Sequence, residues 1–186
     1  MIIRPALVSD AQAIADIYAH YVRETVITFA CTEPTPESYA AEIREGKYPF
    51  LVAEEGGQVQ GFAYAGEFRT KEAFRWDVEL TLYLRPGMER QGTGTRLMQA
   101  LLALLRRQGF LTAYSCVTLP NPGSLALQKR LGFETLGIFP KTGYKHGRWL
   151  DVIWLQLSLG SYADVPADPI PFSALDTEEV CAILHA

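Results

Sequence analysis

The sequence has little of what marks a secreted or membrane protein. Its 186 residues include only three cysteines, and no two of them form a Cys-x-x-Cys pair. An odd number of scattered cysteines is typical of proteins whose thiols stay reduced, as they do in the cytoplasm, so we expect a cytoplasmic location. No apolar run approaches the length of a membrane span, and the first residues lack the layout of a signal peptide. We therefore expect no membrane association.

Positive charge is not in excess either. Lys and Arg number 17 against 21 Asp and Glu, which gives a net charge of −4 at neutral pH. Nucleic-acid-binding domains usually present a basic surface, so the composition argues against nucleic acid as a partner. The three histidines, His20, His146 and His185, have no metal-ligand spacing, and we expect no bound metal. The remaining composition is that of an ordinary globular protein of one domain.

The stretch from Asp77 to Met98 combines a strand pattern, a turn and a helix pattern. Two alternating sets of residues define the strand, the apolar Val78, Leu80, Leu82 and Leu84 and the opposite-face Glu79, Thr81 and Tyr83. Gly92 and Gly94 then open a helix pattern, and the free N–H groups of a helix N-terminus favour an anion such as phosphate. The turn is neither a Walker loop nor a Rossmann fingerprint, because no Gly-Lys-Ser/Thr follows and Leu97 replaces the third glycine. An ordinary strand-to-helix turn stays open as the alternative.

Periodicity and turn signals predict the element order β-α-α-β-β-β-α-β-α-β-β. Ser9 is expected to cap the first helix, and Thr35 and Gly46 to begin and end the second. Further elements are expected at residues 2–4, 50–54, 59–68, 77–84, 113–118, 134–140 and 149–157 (strands) and 92–108 and 124–131 (helices). Because the early hairpin disfavours a doubly wound parallel sheet, we expect an α/β (α+β) fold with a mixed sheet and helices on both faces.

The last residues differ in composition from the rest. Residues 1–158 form the expected domain, and residues 159–186 form an extension whose Asp164–Pro171 run contains three prolines. Thr177 is expected to cap a last short helix that ends near Leu184. Packing of this extension on the body and packing on a partner subunit both stay open.

Several motifs, in this order, resemble the GNAT acetyltransferases, and in particular their phosphinothricin-type amino-acid N-acetyltransferase branch. They are Thr32-Glu-Pro-Thr-Pro, Gly61-Phe-Ala-Tyr-Ala, Arg75-Trp-Asp-Val-Glu-Leu-Thr-Leu-Tyr-Leu, Leu119-Pro-Asn, Leu131-Gly-Phe133 and Tyr144-Lys-His-Gly. The resemblance covers roughly residues 2–157. It implies a mostly antiparallel central sheet in which strands 77–84 and 113–118 splay apart, with acetyl-CoA inserted between them.

The resemblance also implies which residues hold acetyl-CoA. The pyrophosphate is expected on the backbone N–H groups of Arg90, Gln91, Gly92, Thr93, Gly94 and Thr95, and the pantetheine arm along Leu82, Tyr83 and Leu84. Asn121 and Ser124 resemble family residues that contact the co-substrate, although turn and helix-capping roles stay open for both. The chain departs from the family at Glu89, where Arg or Gln is usual. We expect the Glu89 carboxylate to face solvent.

Glu79 is the candidate general base. An amine attacks a thioester only when it is neutral, so a nearby carboxylate must take its proton, and Glu79 stands where the family places that base. A backbone N–H near Tyr83 is implied as the donor to the oxyanion. Many family members use a tyrosine to protonate the leaving thiolate, but this chain has Gln128 at that position. Tyr83, Tyr144 and His146 are candidate substitutes, with a structural role open for each.

Cationic and aromatic residues near the expected site predict the acceptor. Arg69, Lys71, Arg75 and Lys145 suit a carboxylate or phosphinate, and Phe29 and Phe74 could pack on the acceptor side chain. A solvated loop stays open as the alternative for the basic run. The predicted function is N-acetylation of a small amino-acid-like amine, of the phosphinothricin or methionine sulfoximine/sulfone type, by direct attack in a ternary complex. The resemblance further implies a homodimer.

Two alternative functions stay open. One is a GNAT enzyme that acts on another amine, such as a polyamine or a protein N-terminus. The other is a non-catalytic acyl-CoA-binding module, against which the presence of Glu79 argues. A nucleotide-binding α/β domain is disfavoured because the P-loop lysine and the third glycine are missing.

Overall fold

Seven strands form a single sheet in the computed structural model, which describes residues 1–185. They are β1 (Ile2–Pro5), β2 (Phe50–Glu55), β3 (Gln58–Glu67), β4 (Asp77–Leu84), β5 (Thr112–Thr118), β6 (Glu134–Lys145) and β7 (Arg148–Ser158). Their order across the sheet is β1-β2-β3-β4-β5-β7-β6, and every neighbouring pair is antiparallel except β4 and β5. The predicted mixed, mostly antiparallel sheet is confirmed.

Helices cover both faces of this sheet. They are α1 (Ala11–Glu24), α2 (Pro36–Glu45), α3 (Thr93–Gln108), α4 (Pro122–Arg130) and α5 (Thr177–His185). Strand β2 shows the two layers, because Phe50 and Val52 pack with α1 and α2 while Leu51 and Ala53 pack with α3. Alternate strand residues point to opposite faces, so one strand feeds two cores.

The parallel strands β4 and β5 separate along their length. They are paired only at Asp77–Thr112, Val78–Ala113 and Glu79–Tyr114, although β4 continues to Leu84 and β5 to Thr118. Beyond Glu79, therefore, β4 pairs with β3 alone, and a gap opens towards β5. The predicted splay of the central strands is confirmed.

Three predicted boundaries are wrong. Helix α1 begins at Ala11 rather than after Ser9, because the Asp10 carboxylate binds Arg4 at 2.7 Å and a 3-10 turn occupies Val8–Asp10. Helix α4 begins at Pro122 rather than near Ser124, since the Asn121 side chain caps it. Strand β6 continues past residue 140 to residue 145, with register shifts that absorb its irregular stretch.

The C-terminal extension packs on the body. The Ile170 N–H donates to the Gln108 carbonyl at 2.9 Å, and the Ser173 N–H donates to the Gly46 carbonyl at 2.9 Å. Val180 of α5 is buried in the core that α3 covers. Packing on the body, one of the two packings left open for the extension, is therefore present, while its separation from residues 1–158 as a unit stays a prediction. Among residues 1–185, no helix is long and apolar enough to cross a membrane.

Candidate active site

Glu79 lies on the face of β4 that also carries Tyr83, the face opposite Val78 and Leu80. It is half-buried, and no hydrogen bond to its carboxylate is found within residues 1–185. Burial raises the pKa of the Glu79 carboxyl, and the nearby Arg69 guanidinium opposes part of this rise. A carboxylate with a raised pKa and free oxygens can accept a proton near neutral pH.

Aromatic rings form a wall beside Glu79. We define the aromatic wall as Phe68, Tyr114 and Trp154; the Phe68 ring stacks on Tyr114 at 4.1 Å between centroids and meets Trp154 edge-on at 6.0 Å. The Arg69 guanidinium lies 4.3 Å from the Phe68 ring centroid and 5.5 Å from that of Trp154. Arg69 pairs with no carboxylate in the part of the chain that the structure describes, so its charge is available to an anionic ligand.

Sequence reasoning missed this wall. The parallel register places Tyr114 level with Glu79, and Cys116 follows two residues later on the same face, opposite Trp154. The alternation of residues 112–118 puts Tyr114 and Cys116 on one face of their strand. That face can be assigned to the site only when β5 is known to pair with β4. Cys116 keeps contact with solvent, but the neighbouring side chains desolvate its sulfur, and this, with a smaller contribution from Glu79, raises its thiol pKa to about 11. A thiol of such high pKa is a poor nucleophile.

The gap between β4 and β5 leads to the N-terminus of α3. Gly92 precedes that helix at φ +82°, a conformation that favours glycine, and the space beside its Cα is open. A Cβ atom on Gly94 would lie 3.3 Å from Leu82 Cδ2, so glycine lets the helix start approach β4 closely. The free N–H groups of this first turn, next to open space, fit the pyrophosphate of acetyl-CoA. The side chains of Leu82 and Leu84 pack into the core, which leaves their backbone to line the gap.

The other residues of this turn have mixed surroundings. Arg90, at φ +63°, and Gln91 are exposed, and the Gln91 amide donates to the Gly87 carbonyl at 3.2 Å. Thr93 is buried, and its Oγ1 donates to Met1 Sδ at 3.1 Å. Arg130 Nη1 lies 3.5 Å from Thr95 Oγ1.

The Glu89 carboxylate is exposed, as expected. It accepts a hydrogen bond from the Gly87 N–H at 3.0 Å, within its own loop. Its negative charge therefore stays in the turn where the pyrophosphate is expected.

At the start of α4, Asn121 Oδ1 accepts a hydrogen bond from the Ser124 N–H at 3.1 Å. The capping role that was left open for Asn121 is thus present, and Ser124 lies in the first turn rather than at the cap. Gln128 is buried and donates to Ser115 Oγ at 2.8 Å. A carboxamide cannot replace a tyrosine as an acid.

The candidate acids differ in position. Tyr83 lies between Tyr18 and Tyr21, with both ring centroids 4.8 Å away, and burial raises its pKa well above the usual range. His146 is exposed in the turn between β6 and β7. His146 is far from Glu79 along the sheet. Glu79 pairs with Tyr114 and Tyr114 with Gln156, and roughly 26 Å of extended β7 separates Gln156 from Arg148, which lies beside the turn of His146. Tyr144, near that turn, is also exposed.

Lys145 and Phe29 meet at a different place. The Lys145 ammonium is buried and donates to the carbonyls of Thr28 at 2.9 Å and Tyr21 at 3.4 Å. Burial lowers its pKa. The Phe29 ring packs against Gly143 so closely that a side chain there would overlap it. Lys145 thus ties the loop after α1 to β6, and the structure does not bring it together with Arg69.

The loop between β3 and β4 holds the other predicted acceptor residues. Lys71 is exposed and precedes a 3-10 turn at Glu72–Phe74, and the Phe74 ring meets Phe68 edge-on at 6.0 Å. The Arg75 guanidinium binds Asp168 at 3.1 Å. Arg69 and Phe74 therefore border the aromatic wall, Lys71 lies exposed in the same loop, and Arg75 is engaged by the C-terminal extension. Within residues 1–185, no cluster of His, Cys, Asp and Glu side chains could hold a metal ion.

Comparisons with known proteins identify the family and similar enzymes. The family described as acetyltransferase (GNAT) domain matches residues 3–154. A phosphinothricin N-acetyltransferase of Streptomyces viridochromogenes is 36% identical over 171 residues, which cover 91% of this chain and 91% of that protein. An L-methionine sulfoximine/L-methionine sulfone acetyltransferase of Pseudomonas aeruginosa is 37% identical over 172 residues, 88% of this chain and 98% of that protein.

A solved structure agrees with these relatives. The crystal structure of a GNAT superfamily phosphinothricin acetyltransferase from Sinorhizobium meliloti, in complex with acetyl-CoA, superposes with a TM-score of 0.85. It is 35% identical and covers 90% of this chain and 94% of its own. The resemblance read from the motifs is confirmed.

Proposed function

This chain belongs to the GNAT acetyltransferase family, and on that premise we propose that it transfers the acetyl group of acetyl-CoA to the α-amine of a small amino-acid-like acceptor. Acceptors of the phosphinothricin and methionine sulfoximine or sulfone type are favoured, because the names of its relatives state them. The observation that carries the proposal is the half-buried, hydrogen-bond-free carboxylate of Glu79 beside the gap between β4 and β5.

Glu79 supplies the base in this reaction. The amine of the acceptor is mostly protonated near neutral pH, and its proton passes to the Glu79 carboxylate directly or through a water. The neutral nitrogen then bonds to the thioester carbon to give a tetrahedral intermediate. The carbon–sulfur bond breaks, the CoA thiolate leaves, and the excess proton on the nitrogen passes to solvent water, which leaves the neutral amide. The Tyr83 N–H is directed at β3, because bonded pairs recur at every second residue of an antiparallel ladder and the Arg85–Gln60 pair is bonded. The Leu82 N–H is directed at the gap, where β5 does not engage it, and is suited to the oxyanion.

The thiolate needs no side-chain acid in this proposal. Tyr83 is a weak acid because burial raises its pKa, and His146 lies far along the sheet from Glu79. A CoA thiolate leaves tolerably well without protonation, so we assign neither residue a proton transfer.

Acetyl-CoA is proposed to bind mainly through backbone groups. The residues involved are Leu82, Tyr83, Leu84, Arg90, Gln91, Gly92, Thr93, Gly94 and Thr95, with Asn121 and Ser124 at the start of α4. Support comes from the free N–H groups of α3 and from the open space at Gly92.

Arg69 and the aromatic wall are proposed to hold the acceptor. The Arg69 guanidinium suits a carboxylate or phosphinate of the acceptor, and the aromatic wall offers an apolar surface to the acceptor side chain. Phe74 borders the same space, and Lys71 lies exposed in the same loop. Lys145, Phe29 and Arg75 are given structural roles because their groups are engaged elsewhere. The positive charge of Arg69 argues against a polyamine acceptor, because a polyamine is also positively charged and the two would repel.

The protein is further proposed to act as a cytoplasmic homodimer. The sheet edge supports the dimer, since β6 is an edge strand with three large apolar side chains about half exposed, Leu136, Ile138 and Phe139. An edge strand of this kind pairs readily with a second chain.

An acceptor screen tests the function. We expect acetyl-CoA with phosphinothricin, methionine sulfoximine or methionine sulfone to release free CoA, with the N-acetylated product identified by mass spectrometry. Release only with polyamines or peptide N-termini would favour a GNAT enzyme of other specificity. Acetyl-CoA binding by calorimetry without turnover of any acceptor would favour the non-catalytic module.

A further inference from the structure

The C-terminal extension crosses the molecule beside the proposed acceptor site. We define the strap as residues 162–170, which lie between the end of β7 and the 3-10 turn at Phe172–Ala174. Its contacts with the body include side-chain hydrogen bonds and an ion pair. The mechanism proposed above uses none of them.

Both ends of the strap are fixed. At one end, the Tyr162 hydroxyl hydrogen-bonds with Thr112 Oγ1 of β5 at 2.7 Å. At the other, the Ile170 N–H donates to the Gln108 carbonyl at 2.9 Å, and Gln108 Nε2 donates to the Ile170 carbonyl at 2.8 Å. Gln108 is 2% exposed, so this second anchor is buried and well protected. The strap therefore has a fixed path rather than a free one.

The middle of the strap contacts the loop that precedes β4, which we call the acceptor loop (residues 68–76). Arg75 Nη1 donates to Asp168 Oδ1 at 3.1 Å, and Trp76 Nε1 donates to the Ala167 carbonyl at 2.8 Å. The Arg75 guanidinium also lies 4.9 Å from the centroid of the Trp76 ring. Two adjacent residues of the loop are thus held by two adjacent residues of the strap.

These two contacts connect to the aromatic wall. The Arg75 backbone N–H closes the 3-10 turn that presents Phe74 by donating to the Glu72 carbonyl at 3.1 Å, and Arg75 Nε donates to the same carbonyl at 2.9 Å. The Phe74 ring meets Phe68 edge-on, and Phe68 is the ring over which the Arg69 guanidinium lies. A contiguous path of contacts therefore leads from Asp168 to Arg69.

We propose that the strap is a positioning element for the acceptor site, in which Asp168 and the Ala167 carbonyl hold the acceptor loop so that Arg69 meets the acceptor. Asp168 and Trp76 are positioning residues, because neither borders the gap between β4 and β5. This inference rests on the proposed function of Arg69. It predicts that release of the strap weakens acceptor binding and leaves acetyl-CoA binding and the chemical step unchanged.

The test is a double variant, Asp168→Ala with Trp76→Phe, which removes both contacts and keeps an aromatic ring under Arg75. Each lost contact is partly exposed and individually weak, so we expect the KM for methionine sulfoximine to rise about threefold to tenfold. The KM for acetyl-CoA and kcat at saturating acceptor stay at their wild-type values. Asp168→Glu, with Trp76 intact, keeps the charge and restores most of the acceptor affinity.

A matched control breaks another ion pair between the extension and the body. Glu179→Ala removes the partner of Arg107, which joins α5 to α3 away from the acceptor loop. We expect it to leave the acceptor KM unchanged. A rise in acceptor KM for the control as large as for the double variant would overturn the inference, because it would indicate a general loss of stability.

A second measurement does not depend on activity. Backbone amide hydrogen exchange of residues 69–76 is expected to be faster in the double variant and unchanged in Glu179→Ala. If the wild type acetylates no amino-acid-like acceptor, the proposed function fails, and hydrogen exchange still decides whether the strap orders the loop. If the wild type is active and the double variant keeps both its acceptor KM and its exchange rates, the strap inference fails alone. Faster exchange with an unchanged KM also contradicts it.

Discussion

Glu79 and Glu89 are two carboxylates with different surroundings. Glu79 is half-buried, and burial raises its pKa, so it can take a proton from an ammonium group more readily than an ordinary glutamate. Glu89 is exposed, and its oxygen is occupied by the N–H of Gly87. Of these two carboxylates, Glu79 is the one with the burial and the free oxygens of a base.

The Glu89 carboxylate is expected to weaken the binding of acetyl-CoA. Its negative charge lies in the turn that is proposed to bind the pyrophosphate, and like charges repel. We expect Glu89→Gln to bind acetyl-CoA about twofold to fivefold more tightly at low ionic strength, because glutamine keeps an oxygen for the Gly87 N–H and removes the charge. Calorimetric titrations at low and high salt measure this difference.

The salt dependence is the check on this explanation. The gain should shrink at about 1 M salt, where screening is nearly complete at contact distances. Glu45→Gln, an exposed substitution on α2, is the control for net charge and should have no effect. Weaker binding by Glu89→Gln would show that the carboxylate organises the turn more than it repels the ligand.

Single residues show where sequence reasoning ends. The side of the sheet on which Glu79 lies follows from alternation alone, because side chains point to opposite faces at every step of a strand. The engagement of Lys145 with two backbone carbonyls and of Arg75 with Asp168 depends on residues far away in the chain. A basic residue near a site in sequence therefore says little about where its charge is directed.

Strands β4 and β5 leave room for the proposed site because they are parallel and pair at only three positions. Their existence followed from periodicity, and their bounds were predicted nearly as observed. Their divergence followed only from family resemblance, since nothing in either strand's composition encodes it. The aromatic wall was missed for the same reason, because Phe68 comes from the loop after β3, Tyr114 from β5 and Trp154 from β7.

Strand β6 gives the molecule an apolar edge. We expect Ile138→Lys, on this edge, to convert a dimer to a monomer in sedimentation velocity, because a buried lysine in the interface is costly. Ile2→Lys is the matched control. Ile2 lies on β1, the other edge of the sheet, and both isoleucines are 54% exposed.

Circular dichroism of both variants must match the wild type for this comparison to hold. A wild-type protein that sediments as a monomer at micromolar concentration would contradict the proposed dimer. So would a dimer that survives Ile138→Lys and dissociates with Ile2→Lys.

At the scale of the whole molecule, one sheet with two cores supports a single site at its centre. The element order and the fold class could be predicted from periodicity and turn signals, and the co-substrate from motifs that lie along the chain in a fixed order. The path of the extension could not, because its anchors, such as Gln108 with Ile170, join segments that are distant in sequence and carry no motif. The extension nevertheless contacts the acceptor loop through Asp168 and Ala167.

The central claim is that Glu79 accepts the proton of the acceptor amine. The most direct measurement is the turnover of Glu79→Gln with acetyl-CoA and methionine sulfoximine, beside its affinity for acetyl-CoA. The variant should fold well, because a neutral amide avoids the burial penalty that raises the Glu79 pKa. That penalty lowers wild-type stability at a pH above the raised pKa and vanishes below the pKa of the unfolded state.

We predict that kcat of Glu79→Gln falls by more than about tenfold, while the acetyl-CoA dissociation constant stays within about twofold of the wild-type value. We also predict that wild-type activity falls on acidification through the raised pKa of Glu79, and that the variant lacks this limb of the pH profile. Near-normal turnover of Glu79→Gln, with the acidic limb intact, would contradict the account.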